Sequence, residues 1–458
     1  MRHNWNWAKR LLRRQRCKLK NRWKYFYGKQ RYLQSVNRFR LDQLEPRVLL
    51  SGNALSGTIN LSGITSQTLN GAVIQGIDTG DYAGRTVASA GDVNRDGYDD
   101  FLIGAPNVSQ NGTHSGDAYL LYGSESGLPT QVTLSDIANA QVQGAIFRGL
   151  NAGDIMGTSL ASAGDVNGDG FDDLLISSMH DTANGASAGT VYLIYGQQSG
   201  LTGIIDMDGI QNGDLAGAEF VGVAENDRAG TKVSSAGDVN HDGYDDFLIG
   251  TRGADQDTSF AGAVYLVYGK EAEFTGTQQL SDIAEGNLRG SAFYGLNQHD
   301  QVGTALAAAG DVNGDGYGDF LIGAHGVDTY THQFGEGEAY LIYGQASDFA
   351  DQQQLSDIHQ GTLNGAVFRG AAKGELLGYD VASAGDVDGD GLTDLLLGTM
   401  AGDAGAVEDA GQAYLIYGQR MGMTGVFELA DASTMSLDIT VFAGQQDFEH
   451  AGISVSSA

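Results

Sequence analysis

The chain has 458 residues, among them 69 glycines, 3 prolines and one cysteine, Cys17, and its formal net charge is −31. A single cysteine excludes an intramolecular disulfide, and no apolar stretch nears the roughly 18 residues of a membrane span. Residues 1–47 hold 15 of the 26 Lys and Arg with only two acids, Asp42 and Glu45, so the rest sets 11 basic against 55 acidic residues, a surface that repels nucleic acid and anionic membranes.

Residues 1–55 read as a separate segment. All three tryptophans, Trp5, Trp7 and Trp23, lie here among the basic residues. A secretory signal needs an apolar core of roughly 7–15 residues, and Val48-Leu-Leu50 is far shorter. Leu44-Glu-Pro-Arg-Val-Leu-Leu50 resembles the LEPR-XLL motif found near the N-termini of large surface or secreted bacterial proteins. The resemblance implies an export or sorting segment. A disordered arm and a nucleic-acid-binding arm remain open alternatives.

Residues 56–458 are built from a repeat. Five copies of a nine-residue phrase begin at Asp92, Asp165, Asp238, Asp311 and Asp386, spaced 73, 73, 73 and 75 residues apart. A fixed long period signals one supersecondary unit stacked many times. Each unit opens with an alternating segment such as Ala83–Gly91, then the aspartate phrase. A four-residue apolar run follows (Phe101-Leu-Ile-Gly104, Phe247-Leu-Ile-Gly250), too short for a helix and suited to a buried strand. Next comes an aromatic–aliphatic segment (Ala118-Tyr-Leu-Leu-Tyr122, Val264-Tyr-Leu-Val-Tyr268), and the unit closes on a Phe-x-Gly segment, as at Phe147 and Phe220. The pattern predicts about four strands per unit, no helix, and an all-β fold: a β-propeller of four-stranded blades. Five units are complete, and Phe442–Ala458 matches the start of a sixth. The expectation is a truncated or partial ring, with Leu69–Gly76 as a closing strand that has no unit before it.

The phrase itself places oxygen side chains at alternate positions, which suits a hard cation with six to eight oxygen ligands. Side chains at positions 1, 3, 5 and 9 and the main-chain carbonyl of position 7 are the candidate ligands. In order they are Asp92, Asn94, Asp96, Asp100 and Tyr98; Asp165, Asn167, Asp169, Asp173 and Phe171; Asp238, Asn240, Asp242, Asp246 and Tyr244; Asp311, Asn313, Asp315, Asp319 and Tyr317; and Asp386, Asp388, Asp390, Asp394 and Leu392. The predicted ion is Ca²⁺. Position 4 varies (Arg95, Gly168, His241, Gly314, Gly389), as expected of an outward side chain, and position 8 varies too, as expected of a residue that does not ligate. An EF-hand loop would require an acid at position 12, where this chain has Ile103, Ile176, Ile249, Ile322 and Leu397. A metal-free Asp/Asn/Gly turn would leave several carboxylates together without a counter-ion.

These units resemble FG-GAP repeats, the blades of the integrin α-chain propeller. Phe101-Leu-Ile-Gly-Ala-Pro106 is similar to the GAP half of the motif, while later copies depart from it (Ser177-Ser-Met179, Gly250-Thr-Arg252), and the FG half is relaxed to Met156-Gly157 and Ala229-Gly230. The resemblance implies a calcium-binding extracellular or bacterial cell-surface module for adhesion or matrix and protein interaction, and not an enzyme. Two alternatives stand beside it: the non-catalytic part of a larger secreted hydrolase, and a glycan-binding module.

Catalytic signals are weak. Gly185-Ala-Ser-Ala-Gly189 fits the nucleophile-elbow spacing, but that motif needs a strand before it and a helix after. His180 and His325 read as solvated loop residues, and the recurring pairs such as Tyr119/Tyr122 as blade packing rather than a sugar platform.

Overall fold

The computed structural model describes residues 61–66, 70–254, 260–327, 335–402, 407, 409–431 and 437–457. The expectations for residues 1–55, the 44–50 motif included, lie outside the described residues.

The chain runs through 26 described strands. Strand β1 (Val73–Gln75) precedes the first unit, which contains β2 (Thr86–Gly91), β3 (Asp100–Ala105), β4 (Asp117–Leu121), β5 (Gln131–Thr133) and β6 (Gly144–Arg148). The second contains β7 (Leu160–Gly164), β8 (Asp173–Ser178), β9 (Thr190–Ile194), β10 (Gly203–Asp206) and β11 (Gly217–Val221). The third has β12 (Ala229–Gly237), β13 (Asp246–Thr251), β14 (Ala263–Val267), β15 (Gly276–Gln279) and β16 (Gly290–Tyr294). The fourth has β17 (Ala305–Gly310), β18 (Asp319–Ala324), β19 (Glu338–Ile342), β20 (Gln352–Gln354) and β21 (Gly365–Arg369). The fifth has β22 (Leu377–Gly385), β23 (Asp394–Thr399), β24 (Gln412–Ile416), β25 (Gly425–Glu428) and β26 (Ile439–Ala443).

Four strands of each unit form an antiparallel sheet, in the order β2-β3-β4-β6 for the first and β22-β23-β24-β26 for the last. The remaining short strand leaves its own unit. It pairs in parallel with the closing strand of the unit before, β10 on β6, β15 on β11, β20 on β16 and β25 on β21. Strand β5 lies in the same way on β1, inside the segment read as a closing strand. The architecture is a β-propeller, and the chain supplies five consecutive blades.

Two elements differ from the four-strand, helix-free expectation. The borrowed strand is a fifth member of each sheet from β2 to β21. A single helical turn also follows it, at Ser135–Ala138, Gly209–Asn212, Ser281–Ala284 and Ser356–Gln360. The turn brings one apolar side chain inward, such as Ile137 or Ile283, and that buried contact holds four residues that could not stay helical alone.

The apolar core lies between blades. One cluster joins Leu175, Val191 and Leu193 of the second blade to Val233, Phe247 and Ile249 of the third. Phe220 on β11 meets Phe247 on β13 edge-to-face with ring centroids 5.2 Å apart, and Phe293 meets Phe320 likewise at 5.6 Å. Each such buried Phe contributes about 2 kcal/mol from area alone. Backbones approach closely at the inner strands: a Cβ on Gly250 would fall 2.1 Å from the Gly303 carbonyl oxygen of the next blade. The relaxed FG and GAP positions therefore retain glycine where two blades touch, with Ser177 facing Gly230 as the variation in the second blade.

Candidate metal centres

Each aspartate phrase forms the turn between the first two strands of its blade, and all five turns share one hydrogen-bond scheme. The position 1 carboxylate accepts two main-chain N–H groups of its own loop. Asp92 accepts from Asp96 at 2.9 Å and Gly97 at 2.8 Å, and Asp386 accepts from Asp390 and Gly391, both at 2.9 Å. Gly97 has φ +90°, which a β-carbon would strain. Position 5 accepts the N–H of position 7, as Asp169 does from Phe171 at 3.0 Å. The loop thus curls around its position 1 and position 5 carboxylates, which its own N–H groups hold in place.

Position 9 is buried and tied at both oxygens. Asp173 accepts from Val166 at 3.0 Å and from Gly196, just past β9, at 2.9 Å, and Asp100, Asp246, Asp319 and Asp394 repeat both bonds. These bonds explain why position 9 never varies: it fastens the loop to the end of the third strand. Burial pushes the Asp173 and Asp246 carboxyls up to about 8, Asp319 to about 7 and Asp100 to about 6, while the N–H bonds pull the other way. Burial raises Asp394 as well. Buried carboxyls beside further carboxyls are a donor set that lacks positive charge.

One of the five loops gathers three carboxylates closely enough for a single ion. In loop 5, Asp386, Asp388 and Asp394 bring one carboxylate oxygen each to within 4.8 Å of one another. Two oxygens bound to one ion at about 2.4 Å can be no farther apart than roughly that distance. Loops 1 to 4 have Asn94, Asn167, Asn240 and Asn313 at position 3, an amide oxygen in place of a third carboxylate. Loop 3 is distinct: the Arg289 guanidinium lies 2.8 Å from Asp242 and 2.6 Å from Asp348.

Positions 4 and 8 make contacts between loops that the sequence did not reveal. Position 4 is exposed, as expected, and its side chain also reaches the next loop. Arg95 donates to the Asp169 carbonyl at 3.3 Å, His241 Nδ1 lies 3.1 Å from the Gly316 carbonyl, and a Cβ on Gly168 would strike the Tyr244 ring. The loops stand side by side along the array, so a residue leaving one enters its neighbour. Position 8 also crosses blades: its N–H donates to the position 1 carbonyl of the preceding loop, from Asp245 to Asp165 at 3.1 Å and from Gly318 to Asp238 at 3.0 Å.

The other candidates are structural. Ser187 sits at φ +55° between β8 and β9, with no helix after it, so the elbow spacing forms no elbow. His325 is half-buried rather than solvated. Its Nδ1 lies 2.9 Å from Thr304 Oγ1, and burial pulls its pKa down to about 4. Tyr119 and Tyr122 are buried within the blades.

Five stretches of this chain are similar to the FG-GAP repeat. They match at residues 83–121, 156–194, 229–267, 302–342 and 377–416, and each match spans the first three strands of a blade and its loop. Integrin alpha-4 of Xenopus laevis is 28% identical over 273 residues, 59% of this chain and 22% of that protein. Integrin alpha-5 of the same species is 30% identical over 255 residues, 54% of this chain and 20% of that protein. The phosphatidylinositol-glycan-specific phospholipase D of Dictyostelium discoideum is 29% identical over 237 residues, 49% of this chain and 23% of that protein. The chain thus spans about a fifth of the length of these relatives. Among the described residues no helix is long and apolar enough to cross a membrane.

Proposed function

We propose that this propeller is a calcium-stabilised adhesion or protein-interaction module that works outside the cell or on its surface. The observation that carries the reading is the five-fold recurrence of one loop geometry with inward oxygens and buried position 9 carboxyls. Ca²⁺ would be held by the side chains of positions 1, 3, 5 and 9 and the carbonyl of position 7 in each loop. When bound it would supply the positive charge that these carboxylates lack. The integrin-like relatives support protein partners. The segment 1–55 would serve sorting, and residues 56–458 recognition.

The affinity expected of extracellular calcium modules is on the order of 10⁻⁴–10⁻³ M. At about 2 mM calcium such a site adds about 1 kcal/mol to stability. Calorimetry on the full chain should show about one Ca²⁺ per loop, with a matching rise in melting temperature. No binding up to about 10 mM, tenfold above the weakest such modules, would refute the calcium reading.

The phospholipase D relative favours a second reading, in which the same propeller accompanies a catalytic domain in a longer protein. Glycan-array binding without a protein partner would favour the lectin-like alternative.

A further inference from the structure

The side chain at position 8 does something at two blade junctions that it cannot do at the next two. Asp172 Oδ2 accepts the N–H of Asp92 at 2.7 Å, and Asp245 Oδ2 accepts the N–H of Asp165 at 2.9 Å. Each bond joins residues 80 apart in the chain and ends on the residue that leads the preceding loop. The glycines before those leading residues leave the room: a Cβ on Gly91 would lie 2.1 Å from Asp172 Oδ2, and one on Gly164 would lie 2.2 Å from Asp245 Oδ2. At the following junctions position 8 is Gly318 and Thr393, with no carboxylate to offer.

We propose that Asp172 and Asp245 are positioning residues that hold the first calcium ligand of the loop on the preceding blade, coupling calcium binding in loops 1, 2 and 3 across blades. This rests on the calcium reading above. Position 8 is bonded in sequence to position 9, the buried anchor of its own loop. An ion that orders loop 3 therefore fixes Asp245, and Asp245 in turn fixes the main chain of Asp165 in loop 2. Loops 3 and 4, joined through the Gly318 N–H and the His241 contact with the Gly316 carbonyl, have no position 8 carboxylate on the leading residue and load with less mutual effect. Outer-sphere groups that orient a ligand typically change metal affinity by about 10–100-fold.

Calcium titration of the full chain by calorimetry tests this through a double-mutant cycle. Asp245→Ala should weaken one site about 10-fold, at the low end of that range, and that site should be loop 2, not the loop that carries Asp245. In an Asp165→Ala background, where loop 2 is already disabled, Asp245→Ala should then have no further effect. In an Asp238→Ala background, with loop 3 disabled, loop 2 should already bind more weakly and the further loss from Asp245→Ala should be smaller. Asp245→Asn, which keeps an acceptor oxygen, should restore most of the affinity, and Asp172→Ala should repeat the pattern on loop 1. Equal losses from Asp245→Ala with and without Asp165, or wild-type affinity in Asp245→Ala, would overturn the coupling while the calcium reading stood. Absence of binding by the unmodified chain would overturn both.

Discussion

The Tyr195 hydroxyl accepts the main-chain N–H of Phe274 at 2.6 Å, a bond from one blade to the next across 79 residues. Tyr122 receives Leu201 and Tyr268 receives Phe349 in the same way, at 2.6 and 2.8 Å, and Tyr343 receives Met423. The second tyrosine of the pair in each of the first four units is thus a fastener to the next unit with an aromatic stem.

Tyr195→Phe keeps the stem and deletes the acceptor, leaving the Phe274 N–H buried with nothing to meet. The expected cost is about 1–3 kcal/mol, read as a lower urea midpoint with an unchanged slope. A variant as stable as the wild type would mean that water reaches this N–H.

In the fourth blade, Arg369 lies 2.6 Å from Glu338 and 2.6 Å from Glu428 on the borrowed strand. The Glu338 side chain is only 3% exposed. Arg369→Leu strands that carboxylate, at about 3–5 kcal/mol. Adding Glu338→Leu should recover much of the loss in equilibrium unfolding. If the double variant is no more stable than the single one, the pair is not what holds this corner.

The first blade has Asp117 opposite Arg148 in the register of Glu338 and Arg369, with an acid one methylene shorter. Asp117 Oδ1 and Arg148 Nε are buried without a partner, and they line a cavity of about 130 Å³. Burial pushes the Asp117 carboxyl up from 3.8 to about 7, against the pull of Arg148. The folded chain therefore holds this proton more tightly than the unfolded one. The stability it contributes is full below about pH 4 and is lost as pH rises through about 7. Asp117→Asn should accordingly compare better with the wild type at pH 8.5 than at pH 5.5 in thermal melts. An unchanged difference between the two would show that Asp117 is ionised throughout.

The blade skeleton was legible because its signals are local. Runs such as Phe247-Leu-Ile-Gly250 are short, apolar and repeated in register, and the aspartate phrase closes its turn with bonds no more than seven residues long. What stayed hidden depends on partners far along the chain. Gln352–Gln354 is a strand although it carries three glutamines, because β16 of the previous blade supplies its ladder. Asp245 varies among the copies, and variation looks like idleness until Asp165 is seen across the junction. The burial of position 9 could be inferred only in part: its constancy suggested a ligand, and the structure adds a fastening role at Val166 and Gly196.

The borrowed strand also sets an order of completion during synthesis. The first blade's own strands end at Arg148, but its outer strand begins only at Gly203, 55 residues later. A ribosome emitting this chain exposes each closing strand with one edge bare until most of the next unit has followed. Each of the first four blades is therefore finished by its successor, and the array matures from the N-terminal side as a travelling front. A pause in translation within any unit would leave the strand edge behind it open to pairing with other chains, the hazard of an uncovered sheet edge.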